Sequence, residues 1–512
     1  MIAQKRSLLM HITILGAAEM FHRPLENIVR LFFEEVEVRF SEEDGASVRI
    51  ELEIEGEDVI QTSARLIDKQ SGAAYQASYS RDTDGQKEEK EWKRHARQAV
   101  SHSLLHVLEQ YTGLTQPWGI LTGIRPTKLL HAKLKNGMDA ETARQQLRSD
   151  VLISEEKITL MQEIVERQLT VVPDLYSLRD EVSIYIGIPF CPTKCAYCTF
   201  PAYAINGRQG SVNSFLGGLH YEMRAIGQWL KENNIRITTV YFGGGTPTSI
   251  TAEEMDMLYE EMYESFPDVP NIREVTVEAG RPDTITEEKL TVLKKWNIDR
   301  ISINPQSYRE ETLKAIGRHH TVRETIEKYY LAREFGMNNI NMDLIIGLPG
   351  EGIDEFNHTL QETEKLMPES LTVHTLSFKR ASEMTKNREK YKVAGRDEIT
   401  QMMERAADWT REKGYIPYYL YRQKNILGNL ENVGYAIPGQ ESIYNIMIME
   451  EVQSIIGLGC GAASKWVHPV TGEITRFANP KEPKAYNEGY EKYTEAKIEA
   501  LNRLFASKTE TR

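Results

Sequence analysis

VSIYIGIPFCPTKCAYCTF, residues 182–200, carries a strand signal and a metal-ligand signal in one stretch. Its first part, VSIYIGI (182–188), is a short β-rich run that leads directly into cysteines. Its second part sets Cys191, Cys195 and Cys198 as C-x3-C-x2-C, with Tyr197 just ahead of the last thiol. Thiolates are soft ligands that suit iron–sulfur clusters and zinc, and a compact loop can direct three of them at one centre. Three ligands on a four-iron cluster leave one iron without a protein ligand, open to a substrate or cofactor. The competing readings are a zinc loop short of one ligand and three unrelated buried thiols. Structural zinc sites want four ligands, usually as C-x2-C pairs, and no second pair is present. Only one other cysteine, Cys460, exists in the 512 residues, so a chance cluster is improbable and an iron–sulfur centre is favoured.

Outward from this stretch, β-rich runs alternate with helical patterns. TTVYFGG (238–244), REVTVEA (273–279), DRISINP (299–305), NINMDLIIG (339–347) and SLTVHTLS (370–377) continue the series. An amphipathic helix precedes the first of these, and further helix candidates lie at 251–265, 286–296, 322–336 and 354–367. Thr251 and Thr286 stand as caps before acidic first turns. Six strands with intervening helices imply a parallel sheet with right-handed crossovers. The repeat fits a partial (β/α)6 TIM-like barrel better than a Rossmann sheet, because no G-x-G-x-x-G opens a helix with an acidic residue at the proper distance. In a barrel, chemistry sits at the C-terminal ends of the strands. The cysteines follow the first strand, GGGTPT (243–248) follows the second, and Glu278, Gln306 and Asp343 lie at or within the ends of later ones. Glycines permit close backbone approach to a polar ligand, although Pro247 also suits a plain tight turn.

The rest of the chain divides around this barrel. Residues 1–175 read as an α+β domain with strand-like runs first, then a charged helix at about 87–112 and another at roughly 153–170. Lys5-Arg6 before LLMHITILGAA faintly imitates a signal peptide, but His11 and Thr13 interrupt the apolar run, and a buried first strand is expected. Arg125 and Lys128 in GILTGIRPTK suggest an anion-binding loop, against which a solvated turn at Pro126 is the plainer reading. Residues 176–394 form the barrel, and 395–512 a mainly helical extension covering the substrate. Its Tyr- and Gly-rich part either lines a pocket for a flat apolar ligand or folds as a loop onto the barrel mouth.

Hydrophobic content of 40% and charged content of 27% describe a soluble globular protein. The net charge of −13 argues against a nucleic-acid partner, which needs a basic face. No apolar run is long enough for a membrane span, and no disulfide framework is apparent, so a cytoplasmic location is expected.

Taken together, the cysteine motif with Tyr197 and the later GGGTPT, VEAG, NPQS and MDLIIGLPG segments resemble the radical S-adenosylmethionine superfamily. More narrowly the chain resembles the oxygen-independent coproporphyrinogen III oxidase (coproporphyrinogen dehydrogenase) family, in its HemZ-type branch. The resemblance implies a [4Fe–4S] cluster on Cys191, Cys195 and Cys198, with S-adenosylmethionine at the open iron. It also implies cofactor contacts at Tyr185, Tyr197, Gly244, Gly245, Thr246, Glu278, Gln306, Arg318, Asp343 and Ser377. Cys460 is then a packed small residue and not a ligand.

The implied reaction is oxidative decarboxylation of two propionates of coproporphyrinogen III to vinyls, giving protoporphyrinogen IX, with an electron donor such as flavodoxin or ferredoxin as partner. Arg318-His319-His320, Lys379-Arg380 and Arg422 are candidate cations for a tetrapyrrole substrate, and Tyr418, Tyr419, Tyr421 and Tyr444 candidate walls. Established members carry a further cysteine where this chain has Phe200 and a histidine where it has Gly187. Phenylalanine at the first position also occurs in the related haem-chaperone branch. A haem-binding chaperone and a radical enzyme acting on another substrate, such as a methyltransferase, are therefore the alternatives.

Overall fold

A strand buried along nearly its whole length, β1 (Val182–Ile188), starts the series that positions the cysteines. A computed structural model describes residues 9–506, apart from 34, 43–44, 84, 86–87, 201, 206–210 and 380. Two compact units emerge, Met1–Gln162 and Glu163–Arg512.

In the second unit β1 is followed by helix α1 (Val212–Glu232), then β2 (Ile237–Gly244), α2 (Ala252–Ser265), β3 (Glu274–Val277), α3 (Glu287–Lys295) and β4 (Arg300–Ser302). The series continues through α4 (Val322–Glu334), β5 (Ile340–Ile346), α5 (Ile353–Leu366), β6 (Ser370–Thr375) and α6 (Arg396–Glu412). The six strands neighbour one another in sequence order and run parallel. Buried Ile, Val and Leu dominate them, as covering a parallel sheet on both faces requires. The helices begin where their caps dictate. Thr251 and Glu254 form a reciprocal capping box at α2, and the Thr286 side chain accepts from Lys289 N at α3. Each such cap is worth about 1 kcal/mol.

The remainder of the chain adds to the same sheet. β7 (Ile416–Tyr421) and β8 (Asn432–Ala436) extend it antiparallel beyond β6. After helix α7 (Ile443–Glu450), β9 (Ser454–Gly459) pairs parallel to β1, and β10 (Ala463–Val467) and β11 (Ile474–Ala478) continue outward. The order is β7-β8-β6-β5-β4-β3-β2-β1-β9-β10-β11, an open eleven-stranded sheet whose six-strand middle is the partial barrel. The C-terminal extension thus supplies five strands besides its helices. Its patterning hides them, because buried edge extensions such as SIIGLG carry no period-2 alternation.

The last helix, α8 (Pro483–Ala506), packs on α1 around a polar knot with no solvent access. Glu222 accepts hydrogen bonds from Gly459 N at 2.7 Å, Tyr486 Oη at 2.8 Å and Asn479 Nδ2 at 3.0 Å, and it pairs with the ammonium of Lys497. Cys460 lies beside this knot, 3% exposed, with its thiol against the carbonyls of Pro480 and Lys481.

The first unit has a five-stranded sheet in which Met10–Leu15 is an inner strand, paired on both sides, with Ile12 and Ile14 buried. The expected strands and the two expected helices are present, as Glu89–Thr112 and Glu155–Val171. A helix at Glu19–Phe32 was not foreseen, and Pro24 explains why: it lies inside the helix, past the first turn where proline is ordinarily tolerated, and so reads as a breaker. GILTGIRPTK leads into a further helix, Thr127–Lys135, with Pro126 at its N-cap. Among the described residues no helix is long and apolar enough to cross a membrane.

Candidate functional site

The loop that carries the cysteines is fixed by the glycine turn after β2. Gly245 N donates to Ile188 O and Thr246 N to Phe190 O, each at 2.8 Å, and the Thr246 hydroxyl lies 3.4 Å from Cys191 Sγ. The contact is too close for a side chain: a Cβ on Gly245 would sit 2.5 Å from Phe190 O. Gly244 has φ +109°, which glycine alone adopts without strain. GGG at 243–245 is therefore required for apposing two strand ends, whatever ligand they contact.

Other strand ends hold the loop from the far side. Ala196 N donates to Ile316 O at 2.9 Å, and Met384 N donates to Ala196 O at 3.1 Å. Arg281, paired with Asp283, donates to the Thr193 hydroxyl at 2.8 Å. Four separate loops thus anchor one short segment, which is how a barrel rim builds a rigid site from flexible chain.

The three thiols are free and enclosed. Burial pushes Cys191 up to about 11 and also raises Cys198, and each feels the other cysteines. A cation that binds such thiols displaces their protons. Among the described residues no three ligand side chains stand close enough to share a single metal ion. A four-iron cluster asks for a wider spacing, because each thiolate binds a different iron.

Inside the rim lies a ring of polar side chains. On four strands the side chain that retains accessible surface amid buried neighbours is Tyr185 on β1, Tyr241 on β2, Asp343 on β5 and His374 on β6. They face a shared interior. Tyr185 and Tyr241 are register partners with stacked rings 6.2 Å apart. Tyr444, rising from α7, stacks on Tyr241 at 4.3 Å. Glu274 at the start of β3 fixes that helix by accepting from Ser442 Oγ, Ile443 N and Tyr444 N at 2.8–3.1 Å.

The Tyr241 hydroxyl donates to Glu278 Oε1 at 2.5 Å. Burial lifts the Glu278 carboxyl to about 7, with nearby Asp343 adding to the rise against the Tyr241 hydrogen bond. Asp343 moves the opposite way. Burial opposes its charge, but His374, with Nε2 3.5 Å away, Asn341 and Arg318 hold its pKa below the usual range. Asn304 Nδ2 donates to Asp343 at 2.8 Å, and His374 Nδ1 lies 3.2 Å from the Tyr421 hydroxyl.

The remaining expected residues, Gln306, Arg318 and Ser377, are each held by hydrogen bonds to backbone groups. Gln306 adopts φ +66°, a left-handed conformation uncommon for its type, and it is locked by backbone hydrogen bonds to Asp343 and Ile345. Arg318 is 7% exposed and donates to the carbonyls of Asn304 at 2.9 Å and Gly280 at 3.2 Å. Burial works against its charge, but Tyr197 and Cys195 beside it raise its pKa above the ordinary value. Ser377 is nearly buried, with its hydroxyl donated to Lys424 O at 2.8 Å. Tyr185, Glu278 and Asp343 therefore stand together below the rim, while Tyr197 and Arg318 flank Cys195.

Several substrate candidates are not where a substrate could use them. His320 is 2% exposed and pushed down to about 3 by burial and by Arg318, so it is no cation. Tyr418 is core, packed against Val172, Leu175 and Ile446. Tyr419 is buried and hydrogen-bonded to Thr372. Arg422 is buried against Asn429. Arg380 lies outside the described residues. Tyr241 and His374 were missed. Tyr241 was findable, because it precedes Gly243 by two and so shares its strand face.

The chemistry of this donor set fits an iron–sulfur cluster with a polar cofactor beside it. Comparison with known proteins agrees. Residues 185–363 match the model of the radical SAM superfamily. The chain is 67% identical over 488 residues to an oxygen-independent coproporphyrinogen-III oxidase-like protein, HemZ, of Bacillus subtilis, covering 95% of this chain and 97% of that protein. It is 28% identical to the heme chaperone HemW of Haemophilus influenzae, over 63% of this chain and 80% of the relative. In fold it is similar to coproporphyrinogen III oxidase (HemN) from Escherichia coli, with TM-score 0.50, 20% identity, and coverage of 64% of this chain and 72% of that one.

Proposed function

The chain belongs to the HemZ family of coproporphyrinogen-III oxidase-like radical SAM proteins, and on that premise we propose that it decarboxylates the propionates of coproporphyrinogen III without oxygen. Cys191, Cys195 and Cys198 hold the [4Fe–4S] cluster. When bound, cluster and S-adenosylmethionine together supply one-electron cleavage of a C–S bond and a 5′-deoxyadenosyl radical. The chain's own residues position and shield that chemistry. Gly244, Gly245 and Thr246 offer backbone and hydroxyl groups beside Cys191. Glu278, lifted to about 7, and Asp343, held below the usual carboxylate range, present two carboxyls of different proton affinity to hydroxyl and amino groups. Arg318 brings a fixed positive charge next to Cys195.

In the reaction a hydrogen atom would pass from the propionate β-carbon to the 5′-deoxyadenosyl radical, giving 5′-deoxyadenosine. Loss of CO2 and of one electron to an acceptor then leaves the vinyl group. Reduced flavodoxin or ferredoxin is the proposed electron donor. The observation that carries this reading is the meeting of three thiols, a glycine turn and the Glu278–Asp343 ring at one barrel mouth, in a chain related nearly end to end to an oxidase-like protein. Anaerobic incubation of reconstituted protein with reductant, S-adenosylmethionine and coproporphyrinogen III tests it. Vinyl product with methionine and 5′-deoxyadenosine is expected; cleavage without vinyl product overturns the substrate. Phe200 favours one second reading, a haem chaperone, for which stoichiometric haem capture without turnover is the signature.

A further inference from the structure

Beside the cysteine loop, two lysines lack partners in a chain of net charge −13. Arg281 is satisfied by Asp283 and Thr193, Arg318 by two carbonyls, and Lys289 by the carbonyls of Thr248 and Thr284. The side chain of Lys379, just past β6, makes no ion pair or hydrogen bond among the described residues, although the residue is half-buried. Lys194 is exposed and equally unpaired, and the charges of both reach Cys198. A partly desolvated ammonium without a counter-ion is unfavourable, so its retention in the fold asks for an external anion.

The second anomaly adjoins the first. Phe200 is 57% exposed, and among the described residues it is the one phenylalanine so exposed. Its backbone N–H is directed at Cys198, and its ring centre lies 6.0 Å from Lys379 Nζ. The ring lies two residues from a cluster ligand with no apolar cover. A flat apolar ring with a half-buried ammonium over one face leaves its other face for a flat ring that carries a carboxylate.

We infer that Phe200 and Lys379 form the docking edge for the tetrapyrrole, a pyrrole ring lying on the phenyl face while a ring propionate pairs with the Lys379 ammonium. Lys194 adds a second positive charge for the same or a neighbouring propionate. The inference rests on the tetrapyrrole reading above and gives Phe200, a departure from the established oxidases, a positive role. Specificity follows from the pairing, because an esterified ring keeps the apolar contact and loses the charge.

Fluorescence quenching of coproporphyrin III, the oxidised ring that does not react, tests this on reconstituted protein, with its tetramethyl ester and haemin as separate arms. Lys379→Gln is expected to weaken coproporphyrin III binding about tenfold and to leave the ester unchanged, while Lys379→Arg retains most of the affinity. Phe200→Ala should weaken acid and ester alike. The haemin arm falls in parallel if haem is the natural occupant and stays weak throughout if it is not. The cluster's visible absorption must survive in every variant; its loss in Lys379→Gln makes the lysine a cluster support and overturns docking. Unchanged coproporphyrin and haemin binding in Lys379→Gln overturns the docking edge alone. A wild-type protein that binds neither ring overturns the tetrapyrrole reading with it.

Discussion

Glu222, on α1 and packed against α8, and Glu278, at the end of β3, are two carboxyls of the same unit, and the fold treats them in opposite ways. Glu222 has every acceptor position filled by Lys497, Gly459, Asn479 and Tyr486. Glu278 accepts from the Tyr241 hydroxyl and the Gly244 backbone N–H, and has the like charge of Asp343 nearby. The Tyr444 hydroxyl next to it is buried without any hydrogen bond. A knot that only holds α8 to α1 can be closed on itself. A site that must bind something leaves bonding capacity open and tolerates the cost of a buried polar group lacking partners. The contrast separates polar burial that stabilises from polar burial that serves a ligand.

The largest expected effect tests the open side. Cys195→Ser should abolish the cluster's visible absorption and all S-adenosylmethionine cleavage, whereas Cys460→Ser spares both. Iron loss in Cys460→Ser would sink the three-ligand assignment. On the closed side, Lys497→Met leaves the Glu222 charge buried and unpaired. A destabilisation of about 3–5 kcal/mol is expected by denaturant unfolding, and adding Glu222→Gln should recover much of it. A loss under about 1 kcal/mol would show that the pair is not held in the low-dielectric interior.

Glu278 predicts a pH dependence of defined sign. Its carboxyl stays protonated in the folded chain up to about 7, but only to about 4.5 once unfolded. Between those values the folded state binds the extra proton, so stability is full below 4.5 and is lost as pH rises through 7. Glu278→Gln should flatten this part of the stability profile, a difference of up to about 3 kcal/mol at high pH. Parallel profiles for variant and wild type would place Glu278 in water. The smallest effect belongs to Tyr444→Phe. Removing an unsatisfied hydroxyl should change stability by no more than about 1 kcal/mol in either direction. A larger loss would reveal a bonding partner for that hydroxyl and erase the contrast with Glu222.

Much of the barrel was legible from sequence because parallel strands buried on both faces read as apolar runs, and their helices carry capping residues. VSIYIGI matches β1 residue for residue, and Thr251 and Thr286 mark helix starts to within one residue. The strands of the C-terminal extension were not legible. NVGYA and SIIGLG become strands because β6 and β1 offer them free edges, and IPYYLY then pairs with NVGYA, conditions set by distant chain. Misassignment of Tyr418 has the same origin. An aromatic side chain suits a core as well as a pocket, and only packing against Val172 and Ile446 decides between them.

By itself the sequence determined the three-thiol loop, the glycine turn and the six-strand repeat, since each is written in residue type and local spacing. Tertiary structure alone decided which polar groups stay open. Tyr241 became the partner of Glu278, Tyr444 was carried beneath it by a helix capped on Glu274, and Phe200 was left bare beside an unpaired Lys379. Burial and counter-charge depend on chain segments far apart in sequence, and spacing along one segment carries no record of them.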